Sequence, residues 1–476
     1  MKYDYDILVI GLGPAGMAVS LMGSAMGLTV CAIEKHAVGG ECMNVGCIPS
    51  KALLRMGKAR AAFDKLAAMQ LESTPKPNPL NPFGKIAESL KYISEKKTMG
   101  MFAKVDMVYQ QGAASFVDRQ TVEVAGRKIT AKRIFLCVGT RPEIPVFPGI
   151  DEIEPLTNEN MFQLEKIPQR LVVLGSGAIA CEMAQAFARL GSRVDMLFRG
   201  PGLMWREDAE SMKILEEQFT KEGIRLHRNC TPTCFSKMDV AKTKNGIIVE
   251  TDKNGTIETD RVLCALGRRF DFESLNLDHA GIAFTKKGIT VDKYLRTTNK
   301  SVYACGDCNG LHQFSHAAMH QGMLALMNCM IPWPMKYRYD KYVVPWTVFT
   351  EPQISRVGMA GKQLADSKIK HRTITAKYED YGAAIAESLC VGHVKAHVSP
   401  LMGKILGATI VGEGSGEMIN EWALAMQNRL GMYQIMMQQH SFPTMGFLTK
   451  RVAETWMMEN MESDWLKWMS RTMFGW

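Results

Sequence analysis

A short apolar run, Tyr5 to Ile10, enters a glycine turn made by Gly11, Gly13 and Gly16, and a helical pattern follows to about Gly27. The same order returns at Leu171 to Leu174, which leads into Gly175, Gly177 and Ala180. A strand that feeds a helix through such a turn lets the backbone approach a pyrophosphate at the helix N-terminus. Two copies commit the chain to an α/β architecture with two dinucleotide-binding units.

The residues that close each unit differ. The second strand of the first unit, Thr29 to Ile33, ends at Glu34, an acid placed to take ribose hydroxyls. The corresponding strand of the second unit, Arg193 to Phe198, ends at Arg199, with Arg206 after it. Cations there suit a 2′-phosphate that an acid would repel, so NADPH is expected over NADH.

Between the two fingerprints lies Gly39 to Lys51, with Cys42 and Cys47 in a Cys-x4-Cys spacing. A disulfide this local removes little entropy from the unfolded chain, so the pair belongs to dithiol chemistry rather than bracing. The other ten of the twelve cysteines mostly fall singly in helix or strand patterns, as in a reduced compartment. With an N-terminus that starts a strand at once, this leads to the expectation of a cytoplasmic protein. Cys305 and Cys308 form a Cys-x2-Cys pair, but a zinc site needs a second ligand pair and none is evident.

The formal charge of +9 is spread without a long basic block, which suits anionic dinucleotides and argues against nucleic-acid binding. At 476 residues the chain is too long for one core. The expected division is residues 1–150, 151–270, 271–343 and 344–462, with a tail at 463–476. Four prolines between Ser73 and Phe83 mark an extended loop. Two further strands end in glycine turns, at Gly139 and at Gly267, and Val302 to Gly306 delivers Asp307, placed to hydrogen-bond a ribityl hydroxyl. From Val344 an α+β pattern begins.

Two nucleotide fingerprints around a Cys-x4-Cys, an internal Gly306-Asp307 and a C-terminal α+β domain together resemble the flavoprotein disulfide reductases. These are the class-I pyridine nucleotide-disulfide oxidoreductases, and the likeness runs from residue 4 to about 456. It implies two Rossmann-like domains, FAD on the first and NAD(P) on the second. It also implies a homodimer in which the C-terminal domain completes the partner's site. Gly11, Gly13, Gly16, Glu34 and Asp307 match FAD contacts, and Lys51 with Glu182 matches an ion pair beside the flavin. Cys42 matches the interchange thiol that meets substrate, and Cys47 the charge-transfer thiol.

One motif departs from the family. Disulfide-reducing members carry a His-Pro-Thr run and a Glu that reach the other subunit's thiols, whereas Phe442 and Phe447 stand at those two positions here. Neither can move a proton, and such catalysis is worth on the order of 10²–10⁴-fold. His440 is two residues early. Branches resembling mercuric reductase carry Tyr at the first position, and the 2-ketopropyl coenzyme M oxidoreductase/carboxylase carries Phe there.

The expected activity is therefore an NAD(P)H-dependent FAD oxidoreductase acting on a small molecule that needs no His-supplied proton. A thioether that is cleaved with carboxylation, a metal ion or a polysulfide would qualify. A dihydrolipoamide dehydrogenase-type reductase with a substitute acid is the first alternative. A flavin electron-transfer subunit is the second, because Trp465, Trp468, Met469, Thr472, Met473 and Trp476 recur at helical spacing in the tail. That face suits the dimer partner, another protein or a membrane surface.

Overall fold

The computed structural model describes residues 2–205, 207–238, 246–462 and 464–475. The chain forms two compact units, each assembled from three stretches: residues 1–55, 79–168 and 261–342 in one, and 56–78, 169–260 and 343–476 in the other.

The first unit is built on β1 (Tyr5–Ile10), α1 (Pro14–Ala25), β2 (Val30–Glu34), α2 (Gly40–Asn44) and α3 (Cys47–Ala61). β1 is the centre of a parallel sheet, with β2 on one side and Arg127–Leu136 on the other. Beyond β2 lies Asp106–Tyr109, and Val302–Ala304 pairs parallel to Arg127–Leu136. The strands are buried on both faces, so they read as unbroken apolar runs rather than alternating ones. Ile7, Val9 and Phe135 pack one face, and Leu8, Ile134 and Leu136 the other.

The turn between β1 and α1 explains its glycines. Gly11 has φ +92°, and a Cβ there would meet Cys137 O at 2.5 Å. A Cβ on Gly16 would lie 1.9 Å from Gly11 O, so no side chain fits. Gly13 has open space at its Cβ position instead.

In the second unit Arg170–Leu174, Arg193–Phe198 and Arg225–Arg228 run parallel, and Ala178–Arg189 is the helix of the second fingerprint. Gly175 has φ +122°, Gly177 is open at its Cβ position, and Ala180 is fully buried. The same unit contains a five-stranded antiparallel sheet in the order Trp346–Val348, Ile354–Gly358, Ile405–Val411, His393–Val398, Arg372–Lys377. Helices Ser415–Gln427 and Phe447–Met461 bury Trp422 and Val452 against that sheet's core. Pro75 and Pro77 lie in exposed chain without regular structure and Pro79 is half-buried there, whereas Pro82 is buried as the first residue of the helix Pro82–Tyr92.

Candidate active site

The redox segment is set by a tight turn. Gly39 and Gly40 have φ +92° and +56°, and a Cβ on Gly40 would press on Gly13 Cα at 2.8 Å. α2 therefore starts against the fingerprint turn itself. Cys42 lies in α2, and Cys47 is the first residue of the 15-residue α3. A helix N-terminus favours negative charge, which suits a thiolate at Cys47. Cys47 Sγ also lies 3.2 Å from Ser315 Oγ. A hydrogen bond with Cys47, reinforced by burial, pushes the Cys42 thiol far above its ordinary range. The two cysteines form one interacting dithiol.

The residues around it fit a flavin dinucleotide. Glu34 is buried, and its carboxylate already accepts Leu12 N at 2.7 Å and His36 N at 2.8 Å, which fixes it beside the open Gly13. Gly139, at φ +67°, leaves open space after Arg127–Leu136. Gly306, at φ +86°, turns Asp307 out of the end of Val302–Ala304, where it accepts Thr140 Oγ1 at 3.2 Å. Burial raises the Asp307 carboxyl above the usual range. Glu41 Oε1 is buried and has no hydrogen-bond partner among the described residues.

In the second unit, Arg199 is exposed directly after Arg193–Phe198, at the ribose end of the fingerprint. Arg206 lies outside the described residues. Gly267, at φ +143°, is open at its Cβ position and belongs to the first unit. Lys51 is half-buried on α3. Glu182 is buried on the helix Ala178–Arg189 and accepts Phe349 N at 2.9 Å.

Near the C-terminus, Phe442 is 70% exposed and its ring meets Phe447 edge-on at 5.5 Å. Tyr381 stacks on Phe447 at 6.0 Å and meets Phe442 at 6.4 Å. His440 Nε2 lies 2.9 Å from Glu421 Oε1, and its Nδ1 is 3.4 Å from Gln438 O. Both ring nitrogens are thus engaged within one chain.

Sequence reading missed Glu41, Thr140 and Arg268, which form one network with Asp307. Arg268 Nε donates to Thr140 Oγ1 at 2.6 Å, its Nη2 to Thr140 O at 2.9 Å, and Nη2 also to Glu41 Oε2. Position 227 residues apart hides the last pair from any local pattern. Asp208, Glu210 and His393 cluster closely enough to hold a cation, but Lys395 Nζ already sits 2.8 Å from Glu210 and 2.9 Å from Asp208. Cys308 donates to Leu136 O and Cys305 O, as a core thiol does.

A dithiol at a helix start beside a dinucleotide turn, in a chain that also carries a second dinucleotide fingerprint, defines a nicotinamide-dependent flavoprotein acting on sulfur. Residues 5–322 match the family model "Pyridine nucleotide-disulphide oxidoreductase", and residues 344–451 match that family's dimerisation domain. The chain belongs to the pyridine nucleotide-disulphide oxidoreductases, which are FAD-dependent oxidoreductases acting on sulfur groups. The dimerisation domain supports a homodimer.

A mercuric reductase of Staphylococcus aureus is 31% identical over 427 residues, 89% of this chain and 77% of the relative. A dihydrolipoyl dehydrogenase of Chlamydia trachomatis is 29% identical over 469 residues, 96% of this chain and 96% of the relative. The Cu(II) complex of RclA, an HOCl-induced flavoprotein disulfide reductase of Escherichia coli, superposes with a TM-score of 0.83 at 25% identity, over 94% of this chain and 98% of that one. Among the described residues no helix is long and apolar enough to cross a membrane.

Proposed function

We propose that this protein uses NADPH to keep Cys42 and Cys47 reduced and passes two electrons to a thiophilic metal ion. Bound FAD supplies the two-electron relay between nicotinamide and sulfur. Gly11, Gly13, Gly16 and Glu34 would hold its adenosine half, with Gly139, Lys51 and Asp307 toward the other half. Gly175, Gly177, Ala180 and Arg199 would hold the NADPH, and Arg206 would add a second cation. Gly267 marks the turn that closes this region of the chain. The small-molecule substrate meets Cys42, and Cys47 at the start of α3 carries the stabilised thiolate.

The observation that carries the substrate class is the pair Phe442 and Phe447, with His440 turned to its own Glu421. A disulfide substrate leaves as two thiolates and needs protons, whereas a bound metal ion leaves as metal and needs none. The overall balance is one hydride from NADPH, two electrons to one Hg(II) or one electron to each of two Cu(II), and one proton released. Mercuric reductases among the relatives favour the same class. A homodimer in which Phe442 faces the other subunit's dithiol, in a reduced cytoplasm, completes the reading.

A second reading, a dihydrolipoyl dehydrogenase-type reductase with a substitute acid, is favoured by the His440–Glu421 pair itself. Anaerobic titration with NADPH, followed by Hg(II), Cu(II), polysulfide, lipoamide and glutathione disulfide, decides between them. Turnover with Hg(II) or Cu(II) well above that with either disulfide supports the metal reading. Family-like rates on a disulfide alone would remove it.

A further inference from the structure

Two helices of the first unit begin at the dithiol. Cys47 is the first residue of α3, and Ser315 is the first residue of the 16-residue helix Ser315–Met330. Ser315 Oγ lies 3.2 Å from Cys47 Sγ, and the same hydroxyl hydrogen-bonds the Cys42 thiol. One hydroxyl therefore serves both sulfurs. Cys42, Cys47 and Ser315 are each half-buried, so the contact is not sealed in a dry core.

The fold holds Ser315 in place. Gly322, two turns along its helix, packs directly on α1: a Cβ there would lie 2.5 Å from Ala15 O. Next to it, Gln321 Oε1 accepts Gly306 N and Asn309 Nδ2, each at 2.7 Å. These contacts fix the helix axis, and with it the position of the first residue. No side-chain hydrogen bond caps this helix start among the described residues, so no cap offsets its partial positive charge. The charged or titratable groups closest in sequence are Glu41, held by Arg268, Lys51 one turn along α3, and His316, stacked on Phe314 at 5.5 Å.

We propose that Ser315 is a catalytic residue of the dithiol, whose hydroxyl donates to the Cys47 sulfur and keeps the negative charge there rather than on Cys42. Reduction breaks the Cys42–Cys47 bond, takes up two electrons from NAD(P)H and one proton, and leaves a thiol on Cys42 and a thiolate on Cys47. With Phe442 and Phe447 where a proton-carrying pair is expected, the charge is held from within one unit, by a hydroxyl and two helix N-termini. The inference rests on Cys47 as the thiolate-bearing sulfur and not on the metal ion as substrate.

The test uses the full-length, FAD-loaded protein and the variants Ser315→Ala, Ser315→Thr and Ser315→Val. Two quantities are read without any substrate: the wavelength of the thiolate-to-flavin band after two-electron reduction, and the dithiol–disulfide equilibrium against a dithiothreitol redox buffer. Ser315→Ala is expected to move the band to longer wavelength, because a thiolate with one hydrogen bond fewer gives up an electron more easily. It is also expected to shift the equilibrium about tenfold toward the disulfide, roughly 30 mV for this two-electron couple. Ser315→Thr keeps the hydroxyl and should stay within a few-fold of the native protein, whereas Ser315→Val, of the same shape as threonine, should behave as Ser315→Ala. An unchanged band and equilibrium in Ser315→Ala would overturn the proposal, and so would equal behaviour of Ser315→Thr and Ser315→Val. If Ser315→Ala does not hold FAD, the threonine–valine contrast decides by the same two readings. Cys47→Ser separates the two levels of failure: a band that survives there removes the thiolate from Cys47 itself, whereas a band lost there but unmoved in Ser315→Ala removes Ser315 alone.

Discussion

His440 Nε2 and Glu421 Oε1 lie 2.9 Å apart within one chain, and the His440 side chain is 7% exposed. The imidazole is spent on its own domain, while Phe442 is the group held out at the surface. The protein is therefore expected to reduce lipoamide and glutathione disulfide poorly. Phe442→His with Phe447→Glu should raise that activity, on the order of tenfold or more given the usual worth of a positioned acid. His440→Asn should leave it unchanged. A wild-type protein already active on either disulfide, or an activity lost in His440→Asn, would transfer the proton-handling role to His440.

The second prediction concerns the dithiol. Cys47 heads α3, where the helix dipole favours its thiolate. Cys47→Ser should abolish the long-wavelength thiolate-to-flavin absorption and leave FAD bound, whereas Cys42→Ser should keep or strengthen it. Retention of the band in Cys47→Ser would exchange the roles of the two sulfurs.

What could be read from the sequence here follows from locality. β1, the Gly11–Gly16 turn and α1 are contiguous, so backbone sterics alone announce them. Cys42 and Cys47 are equally local. The Glu41–Arg268 and His440–Glu421 pairs depend on elements brought together by the fold, and no spacing rule encodes them. The aromatic packing of Tyr381 on Phe447 was hidden for the same reason. Gly306 shows the intermediate case. Its place before Asp307 suggested a turn, but the reason for glycine is the φ of +86° that turns the acid out of the strand.

The nucleotide preference is the third prediction. Arg199 is exposed where the second fingerprint's ribose would lie, and no acid follows Phe198. A charge-assisted contact to phosphate is worth roughly 1.5–3 kcal/mol when well formed, with solvent screening taking the lower end. Arg199→Ala should therefore cut the preference for NADPH by about tenfold, and Arg199→Glu should favour NADH. Stopped-flow reduction with both nucleotides measures it. Equal affinities in the native protein would sink the assignment.

The last prediction is a pH dependence of stability in the C-terminal sheet. His397 lies in the strand His393–Val398 and is 3% exposed. Its Nδ1 meets Thr373 Oγ1 at 2.9 Å, and its Nε2 is buried without a partner among the described residues. Burial, with His371 and Lys395 as nearby like charges and only Asp208 opposing them, lowers its pKa from 6.5 to about 4. His393, on the same face, is lowered in the same direction, again chiefly by burial. The folded state therefore holds fewer protons than the unfolded chain between pH 6.5 and about 4. Stability is fully present above pH 6.5 and is lost as pH falls through that window, by up to roughly 2–3 kcal/mol for His397. His397→Gln removes the titrating group. Its urea midpoint should fall less than that of the native protein between pH 7 and pH 4.5, whatever its stability at pH 7. Parallel declines in the two proteins would show that the acid sensitivity lies elsewhere.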